Sequence, residues 1–301
     1  MSPLVQVMMM MFSVLIPQKV FFAPDQPLTV TNKGQTAVAL VLTDFNGKVQ
    51  DATPAADSVA PGASVDLKTL FAALNTPGTY VCYAVDPANK AKALTDFVGT
   101  PLVVEVKDNK EPGAGPGVML VKIEPLRYAV MTTDSGPLTM EFYYDVAPNT
   151  VDNFLTLSEG GYYDGLVFHR IVPGFVIQGG DPLGTDTQRA GSGGPGYTIG
   201  AEFNDHPHEA GVLSMARTSD PNSGGSQFFI CLDYKQTQQL DHQYTAFGKV
   251  TDGMDAVTKI AASPVPDQST GRPATPPVIQ KVEVLPVTAR HDPYAALFGG
   301  K

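Results

Sequence analysis

The sequence predicts a mainly β protein in two domains, and three observations lead there. The chain has 301 residues, a length near which single cores stop growing and chains divide. Its 29 Gly and 26 Pro, with 43% hydrophobic and 17% charged residues, give a turn-rich globular composition. Short runs of Val, Ile, Leu, Tyr and Thr recur between turn dipeptides on both sides of a Gly- and Pro-dense stretch at 107–117.

The N-terminal runs come first. Leu4 to Ile16 is apolar enough for a signal h-region, yet no Lys or Arg precedes it. A first β-strand is the preferred reading, because Phe12–Ile16 runs on into Lys19-Val-Phe-Phe22. Met8 to Met11 offer alternative starts, which leaves a misassigned leader over residues 1–7 as the second reading behind the strand. The expected compartment is therefore cytoplasmic, with export to a periplasm as the alternative. No other stretch is long and apolar enough to span a bilayer. Leu28–Thr31, Ala37–Thr43, Gly78–Val85 and Pro101–Val106 read as strands, divided by turns at Asn32-Lys-Gly34, Asn46-Gly47 and Pro61-Gly62. A short helix fits Leu67–Leu74. Residues 1–106 are thus expected to form a β-sandwich of immunoglobulin-like or cupredoxin-like style, serving as an accessory packing or client-docking domain. Copper is excluded there, since no histidine precedes His169 and Cys82 is that half's single cysteine.

Residues 107–117 carry no apolar periodicity and read as an exposed linker. A second domain follows over 118–287, and 288–301 reads as a flexible tail in which Tyr294 and Leu297-Phe298 are able to dock. Charge is uneven: residues 1–110 hold 9 acids and 8 bases, leaving 21 acids and 12 bases for 111–301. An acidic half without a basic run repels phosphate backbones, so no nucleic acid partner is expected. Cys82 and Cys231 both sit in apolar strand patterns of different domains and read as buried free thiols.

In the second domain, Tyr128–Met131 and Leu138–Tyr144 form a hairpin about Asp134-Ser-Gly136. Pro148 opens a helix with a stripe of Val151, Phe154 and Leu155, stopped by Gly160-Gly161. A second helix is expected with Asp252 as N-cap and Met254, Val257, Ile260 and Ala261 facing inward. Between them lies Phe168-His-Arg-Ile-Val-Pro-Gly-Phe-Val-Ile-Gln-Gly-Gly-Asp181, two strands meeting at Pro173-Gly174. Alternation puts Phe168 and Arg170 on one face, and Val176 with Gln178 on one face after the turn. Gly225-Ser-Gln-Phe-Phe-Ile-Cys231 has the same character, with Gln227 and Phe229 on one face.

Together these two stretches resemble the cyclophilin family of peptidyl-prolyl cis-trans isomerases, and the resemblance covers about 118–287. It implies an antiparallel closed β-barrel capped by two α-helices, without cofactor or metal. It implies acceleration of X-Pro rotation in proline-containing polypeptide clients. In the family, the arginine matched by Arg170 donates to the twisted amide. Phe175, Val176, Phe229 and Leu240 match the proline pocket, and Gln178 matches the glutamine that binds substrate and holds the arginine. Gln227 and Gly191 match neighbouring groove positions. Ala216 and Arg217 match the segment whose backbone pairs with the residues before proline. Two departures stand out. Gln239 occupies the place of a common Trp, and Tyr244 that of a groove histidine, so weak cyclosporin binding is expected. The loop Leu183–Ala190 is also longer than in compact members.

Core packing would account for the Phe and Leu residues by type alone; the ordered set of motifs outweighs it. Other signals are declined. Gly191-Ser-Gly-Gly-Pro-Gly196 fits G-x-G-x-x-G but leads into a strand pattern rather than a helix. His206 and His208 lack further clustered ligands and read as loop residues. Ser219, Ser223 and Ser226 read as turn residues without a nucleophile elbow. The alternative function is a non-catalytic proline-peptide binding or scaffold module. A third reading makes the sandwich an envelope-adhesion module with the barrel secondary.

Overall fold

The structure, a computed structural model, describes residues 6–9, 18–22, 28–32, 34–52, 58–92, 96–108 and 119–294. The chain divides into two compact units, one of residues 1–126 with 286–301 and the other of 127–285.

The first unit contains β1 (Gln6–Met9), β2 (Gln18–Phe22), β3 (Thr29–Asn32), β4 (Ala39–Asp44), β5 (Val49–Ala52), β6 (Ser64–Asp66), β7 (Gly78–Val85), β8 (Leu102–Asp108) and β9 (Met119–Pro125). A three-stranded sheet has the order β1-β3-β6 and a six-stranded sheet the order β2-β9-β8-β7-β4-β5. Period-2 alternation brings Leu40 and Leu42 of β4, Cys82 of β7 and Leu102 and Val104 of β8 into one core with Val30 of β3. The segment expected to be one helix is α1 (Leu67–Leu70) followed by a 3-10 turn, with Asp66 accepting from the Lys68 N–H at 3.1 Å as its N-cap. Leu67 and Phe71 drop into the same core. Cys82 and Cys231 are free and buried, and burial pushes the Cys82 thiol up to about 12.

Three expectations about organisation are corrected. β9 pairs antiparallel with β8 from Leu102↔Pro125 to Asp108↔Met119, so the second unit starts at Arg127 rather than 118. The proposed linker therefore joins two neighbouring strands of one sheet; its residues 109–117 lie outside the described residues. The tail is placed from Thr288 to Tyr294: Thr288 and His291 bridge, the Val287 N–H donates to the Leu126 carbonyl at 2.9 Å, and Tyr294 is fully buried. Its ring meets Phe45 edge-on at 6.3 Å. Leu297-Phe298, like Leu4 and Val5 and the run Met10–Ile16, lies outside the described residues.

The second unit is one eight-stranded curled sheet with few helices. Its strands are β10 (Arg127–Thr133), β11 (Gly136–Phe142), β12 (Arg170–Val172), β13 (Val176–Gly179), β14 (Val212–Met215), β15 (Phe228–Cys231), β16 (Ala246–Asp252) and β17 (Ile279–Pro286). They run in the order β12-β13-β15-β14-β16-β11-β10-β17. Beside the two end strands, Val167 bridges Val278 and the Phe168 N–H donates to the Pro277 carbonyl at 2.9 Å.

Three helices accompany the sheet: α2 (Pro148–Glu159), α3 (Tyr234–Thr237) and α4 (Met254–Ala261). α2 has Pro at its start and no cap from its own N-terminal side chain; the Glu202 carboxylate accepts from the Asn149 and Thr150 N–H groups instead, at 3.1 and 2.8 Å. Its buried Phe154 packs among Phe142, Phe228 and Phe247. The expected cap of α4 moves from Asp252 to Gly253, whose φ of +96° is left-handed. A Cβ there would lie 2.2 Å from the Pro137 carbonyl oxygen, so only glycine lets the helix leave β16 at this angle.

Candidate functional site

The site is a row of side chains running across four strands. Pro173-Gly174 closes the β12–β13 hairpin, with Gly174 at φ +74°, and sets Arg170 opposite Gln178. Gln178 is opposite Phe229 on β15, and Phe229 is opposite Ser214 on β14. Directly opposed residues point to the same face. Arg170, Gln178, Phe229 and Ser214 therefore form one transverse line.

Around Phe229 in that line lies an apolar cluster. Val176, Phe229 and Leu240 are buried in it with Tyr143, Val212, Cys231 and Ala246, and Phe175, Ala216 and Tyr244 pack against it half-buried. Phe229 and Leu240 keep 5% and 8% exposure, so each shows an edge at the surface of the cluster. The Tyr244 ring meets Phe229 edge-on at 5.6 Å, forming a wall.

A hydrogen-bonded relay runs along the rim. Arg170 Nη1 donates to Gln178 Oε1 at 3.2 Å, and Gln178 Nε2 donates to Gln227 Oε1 at 3.0 Å. Gln227 Nε2 in turn donates to the Gly191 and Gly193 carbonyls, at 3.1 and 2.8 Å. Gly191 has φ +94° and is exposed on its loop. That loop is organised by the buried Asp181, whose carboxylate accepts from the Leu183 N–H at 2.7 Å and from the Gly191 N–H. The Arg170 guanidinium is thus braced through two glutamines to a fixed loop.

On the opposite side, Ala216 donates its N–H to the Gln227 carbonyl at 2.9 Å, closing the end of β14 against β15. Arg217 donates through Nε and Nη2 to the Gln243 carbonyl and through Nη1 to the Thr218 carbonyl, lying 4.4 Å over the Tyr244 ring. Gln239 is not drawn into the cluster. It is exposed and its Nε2 donates to the Gln236 carbonyl of its own turn at 3.1 Å.

Sequence reasoning missed several parts of this floor. Val212 and Ala246 come from strands whose register no motif announces, and Tyr143 from the turn that follows β11. His208, read as a loop residue, is buried beneath Phe229, with ring centroids 6.2 Å apart. Burial holds its pKa down, as it does for His206 and His169. Among the described residues no group of three or more His, Cys, Asp or Glu side chains is placed to hold a metal ion. No helix among them is long and apolar enough to cross a membrane.

A curled antiparallel sheet carrying an apolar cluster and a braced arginine on one face is the architecture of a cyclophilin-type domain. Residues 128–284 match the family model of the cyclophilin type peptidyl-prolyl cis-trans isomerase/CLD, which is over half of the chain. The chain belongs to this family and is a peptidyl-prolyl cis-trans isomerase. It is 51% identical over 124 residues to a peptidyl-prolyl cis-trans isomerase of Synechococcus elongatus, covering 41% of this chain and 80% of that one. It is 50% identical over 124 residues to peptidyl-prolyl cis-trans isomerase B of Bacillus subtilis, covering 40% and 81%. Against the longer peptidyl-prolyl cis-trans isomerase-like 2 of Cryptococcus neoformans it is 41% identical over 177 residues, spanning 28% of that protein. A solved Cryptosporidium parvum cyclophilin type isomerase, crystallised in the presence of the dipeptide Ala-Pro, is 33% identical with a TM-score of 0.48, covering 53% of this chain and 99% of that one.

Proposed function

We propose that the groove between Arg170 and Tyr244 is where an X-Pro bond of a client polypeptide turns. The barrier to that rotation is about 18–20 kcal/mol because amide resonance stiffens the C–N bond. Lowering it needs a grip on the proline ring and a donor aimed at the amide nitrogen as its lone pair localises. Phe175, Val176, Phe229 and Leu240 provide the grip, since a pyrrolidine ring is apolar and fits a dry pocket. Arg170 is the donor. It bonds Gln178 through one Nη1 proton and has further N–H groups to direct at substrate. Gln178 holds it there, Ala216 and Arg217 offer backbone to the residues before proline, and Gln227 and Gly191 line the neighbouring groove. The observation that carries this reading is the cross-strand line Arg170–Gln178–Phe229, in register on three neighbouring strands, which supports a cation and a ring grip acting on one bound proline.

A bond made in the twisted state and not in the planar one raises the rate rather than the affinity. Arg170→Ala is therefore expected to slow turnover on the order of a hundredfold, about 3 kcal/mol, while peptide affinity changes several-fold at most. Phe229→Ala opens the pocket, and both affinity and turnover drop. Exchange NMR on an Ala-Pro peptide gives affinity and rate from one sample; equal proportional losses for Arg170→Ala would make the arginine a ground-state anchor.

The finer architecture belongs to the same reading. The Val167–Val278 bridge supports a barrel closed between its end strands, and a core fed by both N-terminal sheets supports a sandwich. The exposed Gln239, with its amide turned to Gln236, supports weak cyclosporin binding.

A further inference from the structure

One buried polar group of the second unit takes no part in the chemistry above. The His208 side chain is 1% exposed, with Nδ1 at 2.9 Å from Asp241 Oδ1 and Nε2 at 2.9 Å from Ser214 Oγ. Its backbone N–H also donates to Asp241 Oδ1, at 2.8 Å, and its carbonyl accepts from the Thr237 hydroxyl. A carboxylate only accepts, so Nδ1 carries a proton toward Asp241. The Ser214 hydroxyl donates to the Thr245 carbonyl at 3.0 Å, so its one proton is engaged there and its oxygen faces Nε2 as the other end of the His208 bridge.

Asp, His and Ser in this order make the arrangement of a hydrolytic triad. Ser214 is fully buried, however, and faces across the strand pair to Phe229. No acyl group can reach its oxygen, so these bonds do not serve hydrolysis.

What they reach is the pocket. Ser214 is the cross-strand partner of Phe229, and the imidazole lies along the Phe229 ring at an interplanar angle of 24°. Asp241 directly follows Leu240, and Thr237 closes the short helix that leads to it. Tyr234 adds its hydroxyl to Asp241 Oδ2 at 3.0 Å. One imidazole therefore ties together two pocket walls that the chain supplies from separate elements.

We propose that His208 is a positioning residue for the isomerase reaction: by bridging Ser214 and Asp241 it sets the Phe229 ring and Leu240 at the separation the turning proline ring requires. The proposal rests on placing Phe229 and Leu240 in the proline pocket. A ground-state ring tolerates a slightly loosened pocket, whereas the twisted state must meet the donor and the ring walls at once. Loosening therefore costs rate more than affinity.

Two variants of the full chain test this. His208→Phe keeps an aromatic ring beside Phe229 and removes both side-chain bonds. Ser214→Ala removes a single hydroxyl and guards against loss of fold in the first. Near-ultraviolet circular dichroism confirms folding, and exchange NMR on an Ala-Pro peptide reads dissociation constant and on-protein rate together. The rate is expected to fall about tenfold for His208→Phe and about threefold for Ser214→Ala, with affinity held within about twofold. Folded variants with an unchanged rate, or with rate and affinity falling in step, overturn the positioning role; if His208→Phe does not fold, Ser214→Ala decides by the same criterion. An unmodified chain that fails to turn the peptide over would overturn the underlying function as well, which separates the two failures.

Discussion

His169 and Arg170 are adjacent in sequence, yet the entry to β12 sends one inward and leaves the other half-exposed on the groove. Neither ring nitrogen of His169 has a partner among the described residues. Burial is the largest influence on its pKa and lowers it, the nearby Asp181 opposing and Arg170 and Arg272 adding to the fall. Unfolding releases the ring to its ordinary value of about 6.5. Below that pH the unfolded chain binds more protons than the folded one, so stability is full above 6.5 and is lost as pH falls toward the lower folded value. His206 and His208 shift the same way, both mainly through burial. The thermal midpoint is therefore expected to drop between pH 7 and pH 5, and His169→Leu to make that slope shallower; an unaltered slope would assign the effect to the other two. Residue identities in the groove were largely legible, because Arg170, Phe175, Val176 and Gln178 sit in one contiguous hairpin whose turn and alternation are local. His208 was not, because its meaning comes from Ser214 and Asp241, which only strand pairing and a turn bring to it.

At the level of elements, the runs predicted for β4, β7 and β8 and for the two longer helices match the observed spans closely, since period and stop signals are written within each run. Sheet membership is a different matter. Met119–Pro125 carries the alternation of any strand, and nothing in it says that its partners are β8 and β2 rather than β10. The segment after β17 was partly legible. Its Pro, His and Asp residues suggest a loose end, while Tyr294, the aromatic residue read as able to dock, is buried against Phe45, and Asp292 accepts from the Tyr294 N–H at 2.9 Å. Emptying the space of a fully buried aromatic ring costs about 3 kcal/mol or more. Tyr294→Ala is thus expected to lower the denaturation midpoint of the first unit and to leave the cis-trans rate on a short peptide unchanged. Loss of turnover in a sample whose first unit stays folded would refute that separation.

On the scale of the whole molecule, the isomerase unit is an insertion: residues on both sides of it, up to 126 and from 286, build the other unit. Excision of Arg127–Leu285 is expected to yield a folded domain that turns over an Ala-Pro peptide within about twofold of the full chain, since every residue of the groove lies inside it. A fragment begun at Val118 would carry β9 without its sheet partners and expose an unpaired strand, so it should associate where the shorter one stays monomeric by light scattering. An inert but folded Arg127–Leu285 would mean that the first unit contributes to turnover. The insertion also fixes an order of events during synthesis. A ribosome releases all of 127–285 before it releases Val287 and Tyr294, so the inserted enzyme has its full sequence while the unit around it still lacks two of its buried side chains. A newly made copy therefore has the whole sequence of the proposed proline-turning groove before its own first unit, itself rich in proline, has the last pieces needed to close.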